Sequence, residues 1–223
     1  MKLWEKAGNS SWQLIKWVSG LSRPATPLRK GDTMEFFLPF DGPILTFIQQ
    51  HFHNPVTDAF FPFVTYLGEL GACWAFLSLV LLFMKKYRRA GILMLAAMLL
   101  GTLLGEGLLK HLICRPRPFQ YISSDFLPLL ISPPSGYSFP SGHTCASFAA
   151  ASALFSQHRR EGAFAFLLAS LIGFSRMFLL VHFPSDVLAG ALLGALLGFG
   201  TAFLYQKWVL PKFPRLESFG INS

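Results

Sequence analysis

Long apolar runs broken by short basic clusters dominate this chain and decide what it can fold into. A bilayer-spanning helix needs roughly 20 mostly apolar residues. Five stretches qualify or nearly so: 59–84, 90–109, 141–156, 162–181 and 187–206. Of 223 residues, 52% are hydrophobic and only 13% charged, about half the charged share of a soluble domain. Too few charges remain to coat a globular surface in water, and disordered chains lack such apolar content. The fold expected is all-α, a polytopic transmembrane helix bundle. One membrane domain takes up 35–208, behind a basic N-terminal segment (1–34) and ahead of a cytoplasmic tail (209–223).

Nineteen Lys and Arg against eleven Asp and Glu give a net charge of +8. Nucleic acid is not the expected partner, because the basic residues sit between apolar runs rather than on one face. Lys85, Lys86, Arg88 and Arg89 separate the first two runs; His158, Arg159 and Arg160 separate the third and fourth; Lys207, Lys212 and Arg215 follow the last. Alternation puts all three connections on one side, which the positive-inside rule makes cytoplasmic. The protein is therefore expected in the cell membrane, multi-pass, with 110–140 and the turn His182-Phe183-Pro184-Ser185 on the extracytoplasmic side. Segment 36–52 fits this scheme less well: it either crosses the bilayer despite Asp41, Gln49 and Gln50 or lies in the interface. Pro39 and Pro43 favour the interfacial helix. Gly190, Gly194 and Gly198 form a close-packing stripe, within the bundle or at a dimer contact. Cys73, Cys114 and Cys145 make no disulfide framework and show no metal-type spacing.

The expected outer side collects polar residues from three separate segments. Lys110 ends the second run, with Arg115-Pro116-Arg117-Pro118 just after it; Pro140-Ser141-Gly142-His143 opens the third; Arg176, His182 and Asp186 bracket the turn between the fourth and fifth. Ionisable residues at this depth are costly and mark function by default. Taken singly, Lys110 or Arg115 reads as a cation snorkelling to headgroups. Together, Lys110, Arg117 and Arg176 outnumber the local acids and call for an anion; guanidinium forks suit phosphate oxygens. Ser141 is a good N-cap, and the helix start behind it offers free N–H groups. Gly142, lacking a Cβ, lets an anion approach the backbone. Arg176 lies six residues before His182, about 9 Å deeper if both are on one helix. Asp186 can fold back on the His182 imidazole, fixing its tautomer and freeing the other nitrogen as a nucleophile. Glu106, four residues before Lys110, is placed to orient it. Glu69 lies near the middle of the first run with no evident partner.

Lys110-x6-Arg117-Pro118, Pro140-Ser141-Gly142-His143 and Ser175-Arg176-x5-His182-x3-Asp186 resemble, in order and spacing, the three-part signature of the type 2 phosphatidic acid phosphatase (PAP2) superfamily. The resemblance implies a six-helix core and a phosphatase that uses no metal and no cofactor. It implies that Lys110, Arg117 and Arg176 bind phosphate, helped by Ser141 and the Gly142 backbone. By the same resemblance His182 attacks phosphorus, Asp186 orients His182, and His143 protonates the leaving oxygen. A well-formed first spanning helix is the part of the pattern that this chain lacks or shortens.

The apolar stretch within 119–139 is placed to wall a site that opens sideways to a lipid tail, so the expected substrate and partner is a membrane lipid mono- or diphosphate. Undecaprenyl diphosphate comes first, phosphatidylglycerophosphate or phosphatidate next. The alternatives are transfer to a lipid or sugar acceptor, vanadate-dependent oxidation on the same anion cradle, or a transporter or channel. Oligomeric state is left open.

Overall fold

The computed structural model describes residues 33–121 and 129–212. Segments 1–32 and 122–128 and the tail from 213 therefore lie outside the described residues. Helix α1 is Thr33–His51, α2 Pro55–Leu67, α3 Ala72–Phe83, α4 Arg88–Gly101, α5 Gly142–Gln157, α6 Arg159–Phe178 and α7 Pro184–Leu204. No strand occurs among the described residues. Arg88–Gln120, Arg159–Phe178 and Pro184–Val209 are long and apolar enough to cross a bilayer, and a bent α2–α3 pair makes a fourth candidate.

The first expected span is not one straight helix. Asn54 caps α2 through the backbone N–H groups of Val56 and Thr57. The chain then breaks at Gly68, turns through Glu69–Gly71 and restarts as α3, with a 51° bend. Gly71 takes a left-handed conformation (φ 68°), which favours glycine. A Cβ on Gly68 would lie 2.7 Å from Ile172 and 3.1 Å from His143. The break is thus pressed against the middle of the bundle, where a side chain would not fit.

The second span runs further than expected. Beyond Gly101 the helix widens to a π-helical stretch, Thr102–Leu109, before a last α turn, Lys110–Ile113. Cys114 ends it in a left-handed conformation (φ 50°), and Pro116 and Pro118 bar its resumption. Widened turns of this kind recur at functional sites, and this one carries Glu106 and Lys110.

Helix α5 matches the expected third run to within a residue and is 16 residues long, roughly 24 Å. It is the central helix, packed between α4, α6 and α7. Its Ala149, Ala150, Ala151 and Ala153 are fully buried, so neighbouring helices supply the cover that lipid gives elsewhere. The glycine stripe faces it: Cβ atoms on Gly190, Gly194 and Gly198 would lie 2.6, 2.3 and 2.5 Å from α5 carbonyl oxygens. The stripe thus serves contact inside the bundle.

Helix α1 is drawn into the bundle too, since Leu45 and Ile48 are buried and it packs on α6 and α7. At the other end of the molecule, Tyr87 donates to Glu161 at 2.9 Å and packs on His158, while Arg89 stacks over Tyr205. The three basic connections therefore do share one end.

Gly194→Leu should force α5 and α7 apart, costing about 1–3 kcal/mol as overpacking does. It should lower the thermal midpoint in detergent, whereas Gly200→Ala, with nothing within 4 Å of its Cβ, should leave that midpoint unchanged.

Candidate functional site

The α6–α7 turn is the floor of the site. Val181 and His182 both donate their backbone N–H to the Arg176 carbonyl, at 3.1 and 3.2 Å. The chain therefore reverses over the end of α6, and the 9 Å offset expected for a continuous helix does not exist. The His182 side chain is 1% exposed. Its Nε2 receives a hydrogen bond from Arg117 Nη1 at 3.2 Å, and its Nδ1 lies 3.6 Å from Asp186 Oδ2. An acceptor role for Nε2 leaves the proton on Nδ1, facing the carboxylate.

Arg117 owes its aim to the irregular chain on either side of it. Nε donates to the Gly136 carbonyl at 3.0 Å, Nη2 to Ser135 at 3.2 Å and Nη1 to Val181 at 3.0 Å. Three backbone carbonyls thus fix the guanidinium plane while one edge meets the imidazole. Arg176, near the end of α6, is held by Thr65 of α2 at 2.6 Å and meets His143 Nε2 at 3.4 Å. Lys110 Nζ pairs with Glu106 Oε2 at 2.7 Å, the orienting contact read from their spacing. Lys110, Arg117 and Arg176 all lie close enough to act on the charge of both histidines.

Ser141 caps α5 and is fully buried, its Oγ sharing a 2.9 Å hydrogen bond with Thr144. Its backbone N–H donates to the Asp186 carbonyl at 3.1 Å, tying the α5 start to the α7 start. Gly142 opens the helix, and Glu106 occupies the space beside it. A Cβ on Gly142 would fall 2.0 Å from Glu106 Oε1. The Glu106 carboxylate thus fills the space that a side chain at Gly142 would need.

All eight residues singled out from the motifs (Lys110, Arg117, Ser141, Gly142, His143, Arg176, His182 and Asp186) converge at one end of the bundle. Sequence reasoning missed others. Glu69, brought in by the α2–α3 break, lies 3.4 Å from His143 Nε2. Arg115, read as a headgroup cation, is 2% exposed; it binds Asp186 and Ser185 and pairs with Asp41 of α1 at 2.6 Å. Asp41 and Glu69 gave a signal, each as an acid within a largely apolar run; Arg115 gave none beyond its place among the outer cations. Cys114 and Cys145 are not disulfide-bonded. Among the described residues no group of three His, Cys, Asp or Glu is placed to hold a metal.

Burial, reinforced by Arg176, Arg117 and Lys110, holds the His182 imidazole well below its ordinary pKa of 6.5. Folded His182 stays neutral where the unfolded chain would take up a proton, so its contribution to stability is lost as pH falls below about 6.5. The melting midpoint in detergent should drop between pH 7.5 and 5.5, and His182→Gln should make that fall shallower.

Residues 90–210 match the family model of the PAP2 superfamily. An undecaprenyl-diphosphatase of Sulfolobus acidocaldarius is 32% identical over 127 residues, covering 56% of this chain and 60% of its own length. Phosphatidylglycerophosphatase B of Bacillus subtilis is 36% identical over 152 residues, 61% of this chain and 70% of that protein. Two crystal structures share the fold. Aquifex aeolicus LpxE has a TM-score of 0.60 and 31% identity over 72% of this chain and 93% of its own. The first transmembrane PAP2-type phosphatidylglycerolphosphate phosphatase from Bacillus subtilis has a TM-score of 0.62 and 26% identity over 91% and 97%. The chain spans about 60% of the Sulfolobus relative's length. Three motifs meeting at one end of the bundle, a matched family core and a shared helical fold make this chain a multi-pass membrane member of the PAP2 superfamily.

Proposed function

We propose that this protein hydrolyses a membrane lipid mono- or diphosphate through a phosphohistidine on His182, without a metal. The observation that carries the reading is the pairing of each imidazole with its own arginine, His182 with Arg117 and His143 with Arg176. Two ring nitrogens of opposite function can then flank one phosphoryl group whose oxygens are held by the same guanidinium forks.

Phosphoryl transfer asks mainly for positioning and for stabilisation of the equatorial oxygens. Lys110, Arg117, Arg176 and the N–H groups opening α5 supply both. His182 Nε2 forms a bond to phosphorus as the bond from phosphorus to the lipid-side oxygen breaks. His143, protonated as the anionic substrate binds between it and the cations, gives its proton to that leaving oxygen. His143, now neutral, takes a proton from water as the water attacks the phosphohistidine, releasing inorganic phosphate and restoring both rings. Asp186 balances the positive charge that develops on the His182 ring.

The relatives named for undecaprenyl diphosphate in Sulfolobus acidocaldarius and Bacillus subtilis favour that lipid as the substrate here. Phosphatidylglycerophosphate is the runner-up, on the strength of the Bacillus subtilis relative and structural neighbour. The site faces the extracytoplasmic side of the cell membrane, because the basic connections gather at the opposite end.

Purified protein in detergent, given undecaprenyl diphosphate, phosphatidylglycerophosphate and phosphatidate separately, should release inorganic phosphate with no added acceptor, and fastest from the first. A requirement for an acceptor would instead indicate a transferase. His182→Ala should lower kcat by roughly 10⁴-fold or more with the fold retained, and EDTA should leave turnover unchanged. Persistent turnover in His182→Ala would remove the proposed nucleophile.

A further inference from the structure

Asp41 lies far from the three motifs in sequence, yet it is fully buried against the turn that carries His182. Its Oδ1 accepts the Ser185 backbone N–H at 2.8 Å, and its Oδ2 accepts the Ser185 hydroxyl at 2.7 Å and Arg115 Nη2 at 2.6 Å. The other arm of Arg115, Nη1, donates to Asp186 Oδ1 and, at 2.7 Å, to Ser185 Oγ. The second oxygen of Asp186 accepts the Phe183 N–H at 2.8 Å and faces His182 Nδ1. A continuous line of charge therefore runs from α1, through the chain after α4, to the candidate nucleophile.

From this line we propose that Asp41 and Arg115 are positioning residues for catalysis, acting on His182 through Asp186. The inference rests on the reading of His182 as nucleophile, and the argument is one of charge count. If Arg115 paired with Asp186 alone, the pair would be neutral and would do little for a ring turning cationic as its Nε2 bonds to phosphorus. With Asp41 on the other arm, two carboxylates share one guanidinium. A net negative charge is left over, and the carboxylate next to the imidazole carries part of it. The remaining charged groups around His182 are Arg117 and Lys110 from the second motif region, Arg176 from α6 and His143 from α5. Glu106 answers Lys110 and Glu69 lies beside His143, so the acid on the Nδ1 side of the His182 ring comes from this pair. Because the ring is neutral before reaction and positive during it, the effect belongs to the transition state. Substrate binding does not depend on it.

Asp41→Asn removes the charge and keeps the shape. With folded enzyme in excess over the lipid substrate and at a saturating concentration, the single-turnover rate constant does not depend on how much of the protein is misfolded. That constant should fall by roughly tenfold to a hundredfold, as for a displaced catalytic group, while the inhibition constant of inorganic phosphate stays within about twofold. Asp41→Glu should recover the larger part of the rate. Arg115→Lys keeps one positive charge but cannot grip two carboxylates, and it should show the same loss if Asp41→Asn does not fold. A parent-like rate constant in either folded variant overturns the proposal. His182→Ala, measured alongside, separates the two levels. An active His182→Ala would sink the phosphohistidine itself, whereas an inactive one beside a parent-like Asp41→Asn would sink only the role of α1.

Discussion

Arg115, Arg117 and Arg176 are each at most 3% exposed, and taking a guanidinium out of water costs several kcal/mol unless its N–H groups are paired again. Each arginine meets that demand differently. Arg117 spends its donors on backbone carbonyls that carry no full charge. Arg176 leans on a threonine, and only Arg115 is neutralised by acids. Two cations are thus desolvated and fixed in direction while keeping their positive field. That field is available to an incoming oxyanion, and the local low dielectric strengthens it. An arrangement in which every arginine met a carboxylate would be more comfortable and would bind nothing.

Holding such a field in place requires that the helices ending around it cannot shift. The α5–α7 contact provides this, because glycine against alanine brings the two backbones to within a side chain's width. The same contact brings together the two helix starts, where the Ser141 N–H meets the Asp186 carbonyl. Packing in the middle of the bilayer and geometry at its edge are therefore one structural problem. The short, alanine-rich α5 answers both parts of it.

Much of this was legible in the sequence. The motif residues, the basic connections and the glycine stripe follow from spacing within single segments, where helix geometry is a reliable ruler. What was hidden depends on chain reversal or on contacts between distant segments. Arg176 and His182 are close because a turn folds back, which a rise per residue cannot anticipate. The Gly68–Gly71 break was visible as letters, but the apolar residues on both sides averaged it into one span. Arg115 looked like an ordinary headgroup cation and Asp41 only like an obstacle to a span, because the acid and the guanidinium that pair lie 74 residues apart. Glu69 likewise had no partner until the break brought it to His143.

On α2 the bonded and unbonded faces are sharply divided. Thr65 turns inward to Arg176, while Phe60, Phe63 and Tyr66 on the same helix stand exposed and hold none of the polar groups of the pocket. The chemistry is anchored to main-chain atoms and buried charge; the outer aromatic wall is attached to it only through the shared helix. Under the proposed reading, such a division of labour means that the wall can be recut for a different hydrocarbon tail while the reacting atoms keep their places. Diversification among lipids then becomes a matter of upholstery rather than of machinery.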